Sequence, residues 1–276
     1  MIKIKKIGQV IFSSPVYTFS VVFLIVLIIL SLIAPLLPLD PNATDVSNMS
    51  QPPSLAHWFG TDEVGRDYFI RVLYGGRVSL LVGVLAMLTA TTIGTLVGLT
   101  AGYFGGLIDS ILMRLLDVLS AIPWLVLVIV LSVFLKPGLT TIIIIIGCFS
   151  WMGIARLIRG ETLAAKERDY VIYAKFIGIP PFKIIVRHIL PSVLPTLIVA
   201  ASASISGAIM TESALSFLGM GIQQPMASWG SLLQNAQSSL QRAPYMASLP
   251  GLCVVFTVYS FNNLGDLIKS ILQREV

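Results

Sequence analysis

The sequence predicts an all-α integral membrane protein that crosses the bilayer six times. Two observations carry that expectation. Apolar residues make up 56% of the chain while charged ones make up only 11%, and the apolar residues are gathered into six long runs. Soluble domains hold about 25% charged residues, so a mean hydropathy of +0.91 excludes one.

A spanning helix needs about 20 largely apolar residues to cross roughly 30 Å of hydrocarbon. The runs that qualify are Tyr17 to Leu37, Ser79 to Tyr103, Leu115 to Leu135, Thr140 to Leu157, Thr196 to Leu218 and Leu252 to Ile268. Six spans put both termini on one side. Lys3, Lys5, Lys6, Arg114, the segment from Arg156 to Arg187, Lys269 and Arg274 gather there, leaving Arg66, Arg71, Arg77, Lys136 and Arg242 opposite. Basic loops stay on the cytoplasmic side, which places both termini in the cytoplasm. The same rule accounts for the net charge of +5 without any nucleic-acid partner. The run after Lys3, Lys5 and Lys6 is too long for a signal peptide and lacks a small-residue cleavage site, so it reads as a retained anchor. Cys148 and Cys253 fall inside apolar runs, and His57 and His188 are isolated. These residues form no metal site or disulfide pattern.

The external loop from Pro38 to Pro53 is rich in Pro, Asp, Asn and Ser. After it, Thr61 has the chemistry of a helix N-cap, with Asp62 and Glu63 suited to a first turn. Val64, Tyr68, Phe69, Val72 and Leu73 form a stripe, and Asp62 with Arg66 and Asp67 with Arg71 are i, i+4 pairs. An amphipathic helix on the outer membrane surface is expected there. Gly94, Gly98 and Gly102 give the second span a smooth face for close helix packing. Pro123 is expected to kink the third span, and Ile142 to Ile146 to face lipid or packed core. The fifth span carries Ser202, Ser204, Ser206, Thr211, Glu212 and Ser213, groups that avoid lipid and face a partner helix or an aqueous path. Ser206, Met210 and Glu212 are the pathway candidates on this span, with an arginine of the outer surface helix a possible structural partner for Glu212.

Between the fourth and fifth spans lies a basic island, RDYVIYAKFIGIPPFKIIVRHILP, residues 168–191. Its first half places Tyr170, Val171, Ala174 and Ile177 on one helix face. Gly178 suits a left-handed helix end, and Pro180 and Pro181 suit the start of another. The second half puts Phe182, Ile185, Val186 and Ile189 on one face, ending where Leu190-Pro191 begins a new run. Two short helices meeting at an elbow are expected.

Three strings resemble one family. GTDEVGRDYFIRVLYGGRVSLLVG, residues 60–83, resembles the N-terminal signature of the C-type permeases of dipeptide, oligopeptide and nickel ABC importers; SFLGMGIQQPMASWGSLLQNA, 216–236, and FNNLGD, 261–266, resemble the same family. Gly178 followed by His188-Ile189-Leu190-Pro191 resembles its EAA loop, although Ile172-Tyr173-Ala174 stands where Glu-Ala-Ala is usual. The resemblance runs from about Pro15 to the end. It implies the type I ABC importer permease fold, residues 1–56 being a cytoplasmic tail, first span and external loop, and 57–276 a core carrying the elbow. It also implies that Tyr170, Val171, Ala174, Ile177 and Gly178 seat in an ATPase groove, in the manner of an apolar helix stripe.

The sequence has no phosphate-cradling G-x-x-x-x-G-K-[ST] loop and no chain of intramembrane acids and histidines that would relay protons. The energy for inward transport therefore has to come from partners. By resemblance these are two ATP-binding subunits holding ATP and Mg, a homologous B-type permease and an extracellular binding protein, in a bacterial plasma membrane. No cofactor is expected in this chain, and no catalytic role. A membrane hydrolase built from His188, Ser206 and Glu212 is disfavoured because His188 and Glu212 belong to opposite membrane faces. A carrier working alone would need an ion site that the sequence does not supply.

Overall fold

The computed structural model describes residues 11–12 and 14–273. Lys3, Lys5, Lys6 and Arg274, used above for orientation, lie outside the described residues. From Pro15 the described residues are organised by α-helices: α1 Pro15–Ile33, α2 Tyr68–Phe104, α3 Gly106–Ser120, α4 Trp124–Phe134, α5 Leu139–Lys166, α6 Asp169–Phe176, α7 Pro181–Phe217, α8 Trp229–Ala236 and α9 Tyr245–Gln273. Among the described residues the sole β pairing is an isolated bridge between Thr61 and Asp67.

Five of these helices, α1, α2, α5, α7 and α9, are long and apolar enough to cross a membrane. The expected third span is instead split into α3 and α4. Pro123 has no N–H to donate and holds an extended conformation (φ −57°, ψ 124°), so the helix stops and restarts rather than kinks.

The outer-surface helix expected from Thr61 to Leu73 is not formed. The Asp62 carboxylate accepts from the backbone N–H groups of Val64 and Arg66 at 3.0 and 2.9 Å, and Arg66 N–H and Gly65 N–H are turned inward by the same residue. A side chain that closes its own turn competes with the helix ladder. The helix begins six residues later, capped by Asp67, which accepts from Ile70 N–H at 3.2 Å. From Tyr68 it continues without interruption into the second span. The Asp62–Arg66 pair forms at 2.6 Å, whereas Asp67 pairs with His57 and Arg71 lies beside Asp62.

The α2–α5 contact is the most extensive in the fold. A Cβ added at Gly94 would sit 2.8 Å from Ile154, at Gly98 2.7 Å from the Ala155 carbonyl, and at Gly102 2.6 Å from Thr162. The two helices therefore meet at backbone distance along three turns, as the glycine spacing predicts. The larger cores among the described residues lie around this seam. An inner one joins Leu99, Ile154 and Ile158 to the segment after α5. A middle one contains Val82, Ile142, Ile145, Ile146 and Ala208. An outer one gathers α1, α2, α8 and α9 around Tyr68, Trp229 and Met246. The isoleucine run is thus mostly packed core, with Ile144 exposed.

Gly98→Ala should destabilise the detergent-solubilised protein by about 1–3 kcal/mol, because the Ala155 carbonyl cannot yield without moving backbone. Gly160→Ala, whose Cβ would meet nothing within 4 Å on α5, should be neutral or stabilising. Thermal unfolding followed by fluorescence compares the two, and equal effects would refute the close-packed seam.

Candidate functional site

The basic island forms an elbow between α6 and α7, and its corner is closed by Gly178. That residue has φ +80°; its N–H donates to the Lys175 carbonyl at 3.0 Å and the Ile179 N–H to the Ala174 carbonyl at 3.1 Å. This double closure is the Schellman arrangement, and Ile179 packs back onto the inner core, as that motif favours. Pro181 then opens the next helix at the position where a missing N–H costs nothing.

The second expected short helix is not separate. From Pro181 the helix runs through a π-type turn at Ile185–Ile189 directly into α7. Leu190 N–H donates to the Ile185 carbonyl, five residues back. The widened turn gives room for the ring of Pro191, which an ordinary helical turn would crowd. The elbow is therefore continuous with a helix that reaches the far side of the fold.

The predicted stripe divides. Val171 and Ala174 are buried against Leu99, Ile158, Ala165 and Ile189 of the same chain, so they hold the elbow to its own core. Tyr170, Ile177 and Gly178 lie at the exposed margin. The free face is built by residues outside the predicted stripe: Phe176 is 87% exposed, Phe182 79% and Tyr173 65%, with Lys175, Lys183 and Arg187 exposed around them. Their signal in the sequence was the concentration of aromatic residues on both faces of so short a helix.

Polar and ring contacts within the elbow and around it fix its place. Lys175 Nζ stands 5.2 Å from the centre of the Tyr103 ring at the end of α2, and the rings of Tyr170 and His188 are 6.4 Å apart. Arg159 on α5 makes a two-pronged pair with Asp109 at the start of α3, at 2.5 and 2.6 Å. That hydrogen-bonded guanidinium holds the Asp109 carboxyl below its ordinary value.

The pathway candidates point in different directions. Ser206 is buried and its hydroxyl donates towards the Val258 carbonyl of α9 at 3.3 Å. Glu212 is fully buried and accepts from the Ser79 and Ser216 hydroxyls at 2.9 and 2.8 Å; among the described residues no arginine pairs with it. Met210 alone of the three faces outward, 58% exposed, on a face of α7 shared with Ala203, Gly207 and Ala214. Near that face, where α3 breaks from α4, a cavity of about 470 Å³ is lined by Ser120, Pro123, Trp124, Phe149 and Thr211. Non-helical backbone at membrane depth is tolerated where protein buries it or it borders such a cavity.

Among the described residues, five long apolar helices and a projecting aromatic elbow define a multi-pass membrane protein. Residues 94–276 match the model of the binding-protein-dependent transport system inner membrane component. The chain belongs to that family. It is 42% identical over 232 residues to the dipeptide transport system permease protein DppC of Bacillus subtilis, covering 84% of this chain and 72% of the relative. It is 40% identical to the oligopeptide transport system permease protein OppC of Haemophilus influenzae, over 86% of this chain and 76% of the relative. It is also 40% identical to the glutathione transport system permease protein GsiD of Pectobacterium atrosepticum, over 87% and 80%. Among solved structures, a chain of the MetNI methionine ABC transporter in an inward-facing conformation superposes with a TM-score of 0.59 at 18% identity, covering 74% of this chain and 97% of that one. Such an identity speaks for the fold alone.

Two measurements follow from this geometry. Ala174→Glu should lower the amount of folded protein, since it buries an unpaired charge in the inner core, whereas Phe176→Ser should leave thermal stability unchanged; equal losses would contradict the division of the elbow into inner and outer faces. Asp109→Asn should lower the unfolding temperature at pH 7. A carboxyl with a depressed folded pKa stabilises above its unfolded value and loses that effect as pH falls through the folded one, so the difference between variant and parent should vanish in strong acid. A difference that persists there would refute the Asp109–Arg159 contribution.

Proposed function

We propose that this chain is one permease half of an ATP-driven importer of di- and oligopeptides, and that its elbow receives the motion of ATP-binding partners. The observation that carries the reading is the 40–42% identity, over most of the chain, to permeases named for dipeptide, oligopeptide and glutathione transport. A nickel or metallophore cargo, the alternative, has no such relative among them.

The geometry supports a division of labour within the chain. Phe176, Phe182 and Tyr173 are exposed aromatic side chains on an elbow that also exposes Lys175, Lys183 and Arg187, surface chemistry of the kind that a groove on a partner accepts. Val171 and Ala174 carry movement of the elbow into the inner core, and α7 carries it across the membrane. In this reading a homologous second permease packs on the outward face of α7, beside the cavity at Pro123, and completes the pathway. Two ATP-binding subunits would hold ATP and Mg and perform hydrolysis, and an extracellular binding protein would present the peptide. In this reading both termini and the elbow are cytoplasmic, residues 1–56 form an N-terminal arm, and 57–276 form the translocating core.

Deleting the gene from its source bacterium and restoring it on a plasmid tests the reading. Uptake of a labelled dipeptide and tetrapeptide should disappear on deletion and return on restoration. The Phe176→Ser protein, present at parental level in the membrane, should restore less than about a tenth of that uptake, a loss of roughly 1.4 kcal/mol or more in coupling. Peptide uptake indifferent to the gene, with nickel accumulation dependent on it, would replace peptide by metal as cargo.

A further inference from the structure

Glu212 is a buried acid that neither the elbow nor the cavity accounts for. Among the described residues it makes no ion pair, and its two oxygens accept from serines on different elements: Oε2 from Ser79 on α2, Oε1 from Ser216 one turn along α7. Each serine oxygen in turn accepts a backbone amide of the outer segment. Trp229 N–H, which opens α8, donates to Ser79 Oγ at 3.3 Å. Ile222 N–H, in the loop between α7 and α8, donates to Ser216 Oγ at 3.0 Å. A hydroxyl carries a single proton and an amide can only donate. The direction of both relays is therefore set from the outer segment inward, and both end on the same carboxylate.

The outer segment, residues 218–236, is otherwise fitted tightly against α2 and α7. Trp229 Nε1 donates to the Val72 carbonyl at 3.1 Å, and a Cβ at Gly230 would lie 2.6 Å from Ser213 Cα. On its other side, Pro225, Met226 and Ala227 wall a cavity of about 360 Å³ together with Arg77, Leu81 and Leu139. The segment is thus packed tightly against α2 and α7 on one side and borders open space on the other. Both of these helices run unbroken towards the elbow: α7 begins at it, and α2 ends beside it where Lys175 meets Tyr103.

Resting on the importer reading, we propose that Glu212 is the positioning residue of an outer gate, holding residues 218–236 across α2 and α7 until these helices separate to admit substrate from outside. Its carboxylate is the shared terminus of both relays, so a relative shift of α2 and α7 breaks at least one and frees that part of the segment. Gln cannot replace it. One amide oxygen can end one relay, while the amide NH₂ faces a hydroxyl whose proton then has no acceptor.

The test uses the complete transporter, purified with its partners and reconstituted, in a Cys148→Ala, Cys253→Ala background. A cysteine pair at Leu81 and Met226, which line the same cavity and are both exposed, reports closure by disulfide formation in the resting state. Glu212→Gln should lower resting cross-linking about five-fold and maximal uptake about ten-fold, with less than a two-fold change in the concentration of loaded binding protein giving half-maximal rate. Ser79→Ala should act in the same direction, and the double variant should be no worse than Glu212→Gln within about two-fold, because the Gln oxygen stays with Ser216 on its own helix and its NH₂ turns to Ser79, so both changes cut the Ser79 relay. Unchanged cross-linking in Glu212→Gln, or effects that multiply in the double variant, would overturn the proposal. If Glu212→Gln does not assemble, Ser216→Ala, which removes one hydroxyl and little volume, takes its place; because it cuts the other relay, it should lower resting cross-linking alone and add to the effect of Ser79→Ala, and unchanged cross-linking would overturn the proposal. A parental complex that moves no peptide would overturn the importer reading instead, while the cross-linking readout would still decide for or against the latch.

Discussion

The contact on which the rest of the structure depends is the close approach of α2 and α5. Three glycines of α2 lie against Ile154, Ala155 and Thr162 at distances that leave no room for a methyl group. In lipid there is no hydrophobic drive to bring helices together, so packing at backbone distance is what makes such a pair durable. Because α5 is held in this way, its inner end delivers the elbow to a defined place. Arg159, whose backbone lies in the seam against Gly98 and Gly102, then fixes the start of α3 through Asp109.

From that seam outward the chain behaves as a set of stiff rods joined at few points. The elbow is clamped by Val171 and Ala174 beneath and by a Schellman closure at its corner, so its aromatic face cannot move without moving the inner core. The π-type turn at Ile185–Ile189 keeps the rod continuous past Pro191 instead of ending it. At the other extremity of the same rod sits Glu212, where two relays join the helix to the outer segment. The break between α3 and α4 falls at Ala121–Pro123, beside the larger of the two cavities.

Much of this was legible from the residues, for reasons that can be named. Bilayer thickness sets the length of an apolar run, so five crossings were found where their runs lay. Glycines four apart described the α2–α5 seam, and Gly178 with Pro180 and Pro181 described the elbow. The misreadings came from competition between local and distant partners. Asp62 to Leu73 has a helical stripe, but the Asp62 carboxylate finds nearer donors in Val64 and Arg66 and closes a turn. Periodicity on α6 grouped Val171 and Ala174 correctly, yet it could not say whether their neighbour was this chain or another. The setting of Glu212 depends on Ser79, more than a hundred residues away, and nothing local points to that pairing.

The central claim is that the chain supplies a pathway and a lever but no source of energy. It is tested most directly by purifying the chain from its native membrane in mild detergent, identifying what accompanies it and assaying ATP hydrolysis. The account predicts a second permease and two ATP-binding subunits, with hydrolysis stimulated by a peptide-loaded binding protein and lost in Phe176→Ser. Recovery of the chain alone, silent towards ATP and yet active in peptide uptake when reconstituted, would contradict it.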